Sequence, residues 1–419
     1  MTAYSIPQAP RVAIYSQDGL GLGHMRRTSA IATQFLRLRP DASILTLSDS
    51  QLGQFFPMAP NHDYLKLPSI VKRGPGDWHA ARLALPFAEV HKLRRQLIKQ
   101  ALLTFAPHLF LVDHMPHGTM GELLPALSAL KSSGARTKVV LGLRDILDAP
   151  QVVQERWQVE GAAQAVEKYY DLVLIYGMRE VFDLAHHYKF SPQIAARLRY
   201  CGYVCPPINE RRLDAIPNNW LATQSAGAKS IVAMAGGGAD AYPMMRALVD
   251  ALPIVEQQHR CTLLLITGPF MPVAEQNDLL QRAQGRPIQV ISAVEDTYSY
   301  LQAADLVVAM AGYNTTVETL QSGKRAIMIP RRGPSAEQRL RTQLFAAQGW
   351  LEMLDPDELS GPALAQLILN NLDQSTVTPP ALVPDLQGVE KSAEQLLALL
   401  RTPTAVNGSR PNPETVLTI

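Results

Sequence analysis

The string DGLGLGHMRR sets Gly19, Gly21 and Gly23 directly ahead of His24, Arg26 and Arg27. Glycines let a backbone approach a ligand closely, and a helix starting at such a turn offers unpaired amides to an anion. An imidazole there, with an ordinary pKa near ~6.5, is suited to moving a proton at neutral pH. The spacing is not the dinucleotide G-x-G-x-x-G, because Gly23 and His24 follow Gly21 too soon; in a dinucleotide site Asp49 would be the ribose acid. A plain strand-to-helix turn with a surface histidine accounts for the same residues without a ligand.

Two other strings carry comparable chemistry. AGGGADAY places Gly236, Gly237 and Gly238 in one turn, able to wrap a diphosphate with backbone amides or simply to form a loop. In AGYNTTVETLQSGKRAIMIPRRGPSAEQ, Gly312 ends an apolar run, Thr315 and Thr316 sit at a helix start, and Glu318 comes one turn later. The helix dipole and hydroxyls suit phosphate, and a carboxylate one turn on can accept two hydrogen bonds from a ribose diol. Thr315 and Glu318 also spell a capping box, which needs no ligand. Arg331 and Arg332 either add charge-assisted contacts to a pyrophosphate or are merely solvated. Asp355 and Asp357 suggest a metal-binding carboxylate pair, but they lie just before a helical pattern and read as helix caps, so no metal is expected.

These loops need elements to hold them. Short, continuously apolar runs alternate with helical patterns along the chain, which means parallel sheets covered on both faces. RVAIYS, SILTLS, LFLVD, KVVLG and LVLIY build a first doubly wound domain over 11–205, with a helix between Pro86 and Phe105 whose outer side is basic. After a proline- and asparagine-bearing linker over 206–229, SIVAMAGGG, TLLLITG, IQVIS, DLVVAMAG and AIMIP build a second over 230–386. A C-terminal helix over 387–401, a flexible start over 1–10 and a disordered tail over 402–419 complete this α/β reading. Ligands of open α/β sheets bind beyond the carboxyl ends of the strands, where all these strings fall. Asp113 ends one such strand, with His114 and His117 just behind it.

The length of 419 residues exceeds the ~250–300 at which one core stops growing, in keeping with two domains. Lys and Arg total 39 against 37 Asp and Glu, a balance of +2 that gives no basic field for nucleic acid. Cys201, Cys205 and Cys261 supply neither a disulfide framework nor a zinc spacing. With no secretory start and no run of ~18 apolar residues, a soluble cytoplasmic protein is expected.

A glycine-histidine loop in the first domain and G-x-x-T-x-x-E in the second resemble glycosyltransferase family 28, the group of the peptidoglycan N-acetylglucosaminyltransferase. The phrases GLGHMRR, LVDHMPHG, LGLRDILD and CGYV extend the similarity, over Arg11 to Arg401, to a bacterial subgroup of family 28-like proteins. The resemblance implies the GT-B fold, two Rossmann-like domains facing across a cleft. It also implies an inverting, metal-independent transfer of a hexose-type sugar from a nucleotide sugar, uridine being the favoured base. Glu318 would hold the donor ribose, the Gly312 to Thr316 turn, Asn314 included, would face the diphosphate, and Gly236 to Gly238 would complete the cradle. Ala293 and Val294 stand where the family grips the base, without the aromatic often found there. Gln338 opens the family's Q-x-x-N-A donor-sugar motif, whose Asn and Ala are here Arg341 and Thr342. Arg331 joins the donor side, and Gly21, Gly23, Arg27 and His117 form an acceptor or phosphate loop.

On this reading His24 is the general base and Asp113 fixes its tautomer; alternatively His24 donates to a phosphate or sugar oxygen and Asp113 is the base. No cofactor is expected beyond the nucleotide sugar itself. The acceptor, whether small molecule, glycan or lipid-linked, is not identified. A nucleotide-sugar hydrolase of the same architecture carries G-H-x-x-R, matched by Gly23, His24 and Arg27, and would direct His24 at water. An epimerase and a non-catalytic nucleotide-sugar binder are further alternatives. HKLRRQLIKQALLTF suits either an anionic lipid surface or a core-facing helix, so a peripheral place at the inner membrane face stands beside the cytoplasmic one. SIVKRGPGDW, with Gly74, Pro75 and Gly76, reads as an acceptor flap.

Overall fold

The computed structural model describes residues 8–17, 23–51, 58–74, 77–134, 136–205, 227–294, 296–373 and 380–401. The expectations for Gly19, Gly21, Pro75, Gly76, most of the linker and the tail lie outside the described residues.

The first half contributes β1 (Arg11–Ser16), β2 (Ser43–Ser48), β3 (His62–Lys66), β4 (Ile70–Gly74), β5 (Asp77–Ala80), β6 (Leu109–Asp113), β7 (Lys138–Arg144), β8 (Leu172–Tyr176) and β9 (Leu198–Tyr200). Seven of these form one parallel sheet in the order β3-β2-β1-β6-β7-β8-β9. The second half contributes β10 (Lys229–Met234), β11 (Cys261–Ile266), β12 (Ile288–Ile291), β13 (Leu306–Met310), β14 (Ala326–Ile329) and β15 (Glu352–Met353), paired in parallel as β12-β11-β10-β13-β14-β15. In each sheet the order reverses beside the first strand, between β1 and β6 and between β10 and β13. Crossovers leave in opposite directions at such a point and open a crevice.

Every apolar run read from the sequence is a strand. The strands it did not show are at the edges, where β3 has a mixed, half-exposed sequence, HDYLK, and β9 and β15 are short. The flap read in SIVKRGPGDW contains β4 and the start of β5, which pair antiparallel.

Side chains alternate between the faces of each strand, and this sorts the core. Ala13, Tyr15, Phe110 and Val112 face the helices of the first domain's outer layer. Ile231, Ala233, Val308 and Ile327 do the same in the second. The remaining faces, including Ile14, Leu111, Val232 and Ala309, belong to one cluster that runs through both domains. The C-terminal helix, Gly388–Arg401, does not stay with the second domain: it packs on the Gly23–Leu38 helix, with Val389, Ala393, Leu396 and Leu397 in that shared cluster.

The basic helix Phe87–Phe105 turns Arg94 inward, where it grips Glu122 at 2.7 Å through two nitrogens and Asp49 at 3.2 Å. Asp49 is thus a buried counter-charge and not a ribose acid. Lys92, Leu93, Arg95, Lys99 and Leu103 of that helix are exposed. No helix among the described residues is long and apolar enough to cross a membrane, and the three cysteines are free and buried.

Between the domains, Arg144 and Asp145 at the end of β7 meet Glu337 and Arg341 on the helix Glu337–Ala347. Arg341 donates to Asp145 at 2.7 and 2.9 Å and to Glu337 at 2.8 Å, while Arg144 donates to Glu337 at 2.8 Å. Arg341 is 0% exposed and Asp145 3%, so neither ion can turn to water. Removing one partner of a buried pair strands the other, at roughly 3–5 kcal/mol. Arg341→Ala is therefore expected to lose stability of that order in urea unfolding, and Asp145→Leu combined with Arg341→Met to recover most of it.

Candidate functional site

Asp113 ends β6, and His24 lies in the first turn of the helix that follows β1, so both stand at the point where the strand order reverses. His24 Nδ1 is 2.5 Å from Asp113 Oδ2. Arg27, three residues on, donates to the same oxygen at 2.7 Å and to Oδ1 at 3.4 Å. One carboxylate thus gathers both side chains. Its burial alone would raise its pKa, but Arg27 beside it and the hydrogen bond from His24 hold it well below the usual carboxylate range. Asp113 is therefore ionised at neutral pH and unsuited to be the base. Nδ1 of His24 faces Asp113, and Arg27 Nη2 lies 3.0 Å from the same nitrogen.

Arg27 is not a phosphate contact. It is buried, paired with Asp113, and its guanidinium lies 5.3 Å from the centre of the Tyr176 ring and 5.4 Å from that of Tyr313. His114 does belong beside His24, with ring centres 5.3 Å apart. It has a left-handed backbone, φ 73°, and its Nδ1 is buried without a hydrogen-bond partner. Burial, with Arg144 and His24 nearby, keeps the His114 ring neutral. His117 turns elsewhere: Nδ1 meets Gly118 O at 2.7 Å and Nε2 lies 3.4 Å from Glu160. Burial would lower its pKa, but Glu160 outweighs that and raises it. It is a structural pair on the helix Pro150–Glu160.

On the opposite side, Gly312 caps the helix Tyr313–Ser322, so Thr315 and Thr316 lie inside its first turn and form no capping box with Glu318. Thr316 Oγ1 is buried with no hydrogen-bond partner. A Cβ on Gly236 would lie 3.4 Å from Thr315 Oγ1, which places the glycine turn against this helix start; one on Gly238 would lie 2.0 Å from Thr267 O, so only glycine fits there. Glu318 is 4% exposed. Thr297 Oγ1 donates to its Oε2 at 2.9 Å, and Arg26 Nη1 approaches its Oε1 to 3.1 Å. Ala293, exposed, and Val294, half-buried, follow β12 on the approach to Thr297. Asn314 Nδ2 donates to Gly23 O at 3.1 Å, joining the two helix starts across the cleft.

Gln338 Oε1 accepts from the Arg331 backbone at 3.1 Å, and Thr342 donates to Gln338 O at 2.7 Å. The side chains of Arg331 and Arg332 face away from the Gly312–Glu318 turn. Arg331 lies 3.4 Å from Asp240 and Arg332 3.4 Å from Asp357. Both line a cavity of about 550 Å³ against the helix Tyr242–Val255, to which neither the turn nor His24 contributes. Asp355 and Asp357 do not cap the next helix; Arg339 Nη2 bridges them at 3.0 Å each, and Ser360 Oγ, 3.3 Å from Ala363 N, takes the cap position. Among the described residues no group of His, Cys, Asp or Glu is placed to hold a metal ion. Sequence reasoning missed the partners of Arg26 and Asn314 and the Asp145–Arg341 pair. The phrase LGLRDILD was the signal for the last of these.

Residues 231–395 match the model of the glycosyltransferase family 28 C-terminal domain. Over 222 residues the chain is 28% identical to the UDP-N-acetylglucosamine--N-acetylmuramyl-(pentapeptide) pyrophosphoryl-undecaprenol N-acetylglucosamine transferase of Paenarthrobacter aurescens (strain TC1), covering 50% of this chain and 58% of that relative. The chain thus spans little more than half that relative's length. The crystal structure of MurG from Acinetobacter baumannii aligns over 94% of this chain and 99% of its own, with TM-score 0.56 and 14% identity. The UDP-GlcNAc 2-epimerase from Methanocaldococcus jannaschii aligns over 93% and 99%, with TM-score 0.59 and 10% identity. At these identities the likeness is one of fold: α/β, GT-B, two Rossmann-like domains.

The Asp113 carboxyl, lower in pKa folded than its ordinary ~3.9, adds stability that is complete above about that pH and is lost as pH falls below it. Acid titration of unfolding should show this loss in the wild type. Asp113→Asn should lose that slope and be less stable at neutral pH, because Arg27 is left without its counter-charge; an unchanged acid profile would contradict the assignment.

Proposed function

Because the chain is a glycosyltransferase family 28-like protein on the GT-B fold, we propose that it moves a hexose-type sugar from a UDP-linked donor to an acceptor hydroxyl, with inversion and without a metal ion. The observation that carries this reading is the His24–Asp113 pair, 2.5 Å apart, set beside the Gly312–Glu318 helix start through the Asn314–Gly23 hydrogen bond.

His24 Nε2 takes the acceptor proton while Asp113 holds the ring and balances the imidazolium. The acceptor oxygen bonds to the anomeric carbon, and the opposite bond, to the diphosphate oxygen, breaks with its electron pair staying on that oxygen. Backbone amides at the start of the Tyr313–Ser322 helix and in the Gly236–Gly238 turn receive the charge. Glu318 holds the ribose, and Ala293 and Val294 border the base. Gln338 remains on the donor side, whereas Arg341 is committed to the domain seam. The printed name of the Paenarthrobacter relative gives UDP-N-acetylglucosamine as that protein's donor, which supports uridine here.

Thermal unfolding with UDP, ADP, GDP, CDP, TDP and their sugars tests the donor. UDP and one of its sugars should raise the melting temperature most, since a ligand at 100 times its Kd adds about 2.7 kcal/mol; no response to any of them would overturn the reading. His24→Ala should keep nucleotide affinity and lower turnover by roughly 10²–10⁴. Release of free sugar without an acceptor would assign the chain to hydrolysis instead.

A further inference from the structure

Arg26 makes a contact that the reaction above does not use. From the first turn of the Gly23–Leu38 helix it reaches into the second domain, with Nη1 3.1 Å from Glu318 Oε1 and Nη2 3.3 Å from Thr297 Oγ1. Thr297 occupies the other carboxylate oxygen. Glu318 is buried and needs a counter-charge, which Arg26 supplies. A ribose diol would use the same two oxygens, so ribose and Arg26 cannot hold Glu318 together.

Four other described arginines have places of their own. Arg27 is buried against Asp113, Arg341 is buried against Asp145 and Glu337, and Arg331 and Arg332 line the separate cavity. The Arg26 side chain keeps 36% of its surface exposed and so has room to move. Its helix begins at Gly23, whose carbonyl is bonded to Asn314 in the turn assigned to the diphosphate.

Resting on the reading that Glu318 holds the donor ribose, we propose that Arg26 exchanges partners during the reaction. It pairs with Glu318 in the empty cleft, yields that carboxylate to the ribose, and turns to the donor diphosphate. There it meets the charge that arrives when the anomeric C–O bond breaks, its electron pair remaining on the diphosphate oxygen while the acceptor proton goes to His24. The entering nucleotide thus frees the cation that then stabilises it.

Calorimetric titration of wild type, Arg26→Ala and Arg26→Lys with UDP and with uridine separates the two contacts. Arg26→Ala should bind UDP ~10–100-fold more weakly, the range of a lost charge-assisted contact, yet bind uridine at least as tightly, because Glu318 has lost its competitor. Turnover should fall with UDP affinity, and Arg26→Lys should recover part of both. Equal weakening of UDP and uridine, or unchanged UDP affinity, would overturn the exchange. Should Arg26→Ala not fold, Arg26→Lys carries the test: a loss confined to UDP supports it, and no loss or an equal loss overturns it. If the wild type prefers another nucleoside diphosphate, that diphosphate and its nucleoside form the pair. A wild type that binds none overturns the functional reading itself, whereas a missing phosphate-selective effect overturns the exchange alone.

Discussion

Charges crossed in a dry seam hold the two sheets with their strand ends toward each other. Arg144 and Asp145 leave β7 side by side, while Glu337 and Arg341 stand one helical turn apart on the facing domain, so each guanidinium meets a carboxylate of the other half. Such pairs add little net stability over apolar packing, but any other arrangement leaves an ion buried and unmatched. That penalty selects one relative placement of the domains. The placement in turn puts His24 and Asp113 within reach of the helix carrying Glu318.

The same economy of placement runs through the rest of the seam. The Tyr313 hydroxyl donates to Tyr176 O at 2.9 Å and accepts from Val204 N at 2.9 Å, fixing the helix on which Asn314 and Glu318 ride. Tyr203, Phe345 and Trp350 stack edge to face beneath it. Site and seam are thus built from neighbouring residues of the same helices. The fold alone does not assign the chemistry, since transferases and an epimerase share it.

Much of this is legible in the sequence. Continuously apolar runs showed the central strands because only a doubly covered parallel sheet buries them, and the strand-end rule brought His24 and Asp113 together. Edge strands such as HDYLK escaped because one side is half-exposed and their polarity breaks the pattern. Arg27, His117, Asp355 and Asp357 depart from their sequence reading for a common reason. Each takes its partner from another element, and local sequence carries no record of which element will lie alongside. Arg26 and Arg341 required still more, the relative orientation of two domains, which spacing within either one does not encode.

The returning C-terminal helix has a consequence for how the molecule is made. Val389, Ala393, Leu396 and Leu397 cover a face of the first domain beside Ile31 and Phe35. Tyr203 exchanges backbone hydrogen bonds with Asp385 and Gly388 at 2.7 and 3.1 Å. On the ribosome that face stays wet until the whole second domain has emerged. The amino-terminal lobe therefore finishes last although it begins first, and biosynthesis reaches its native end point only when both lobes are closed by a single strap of chain.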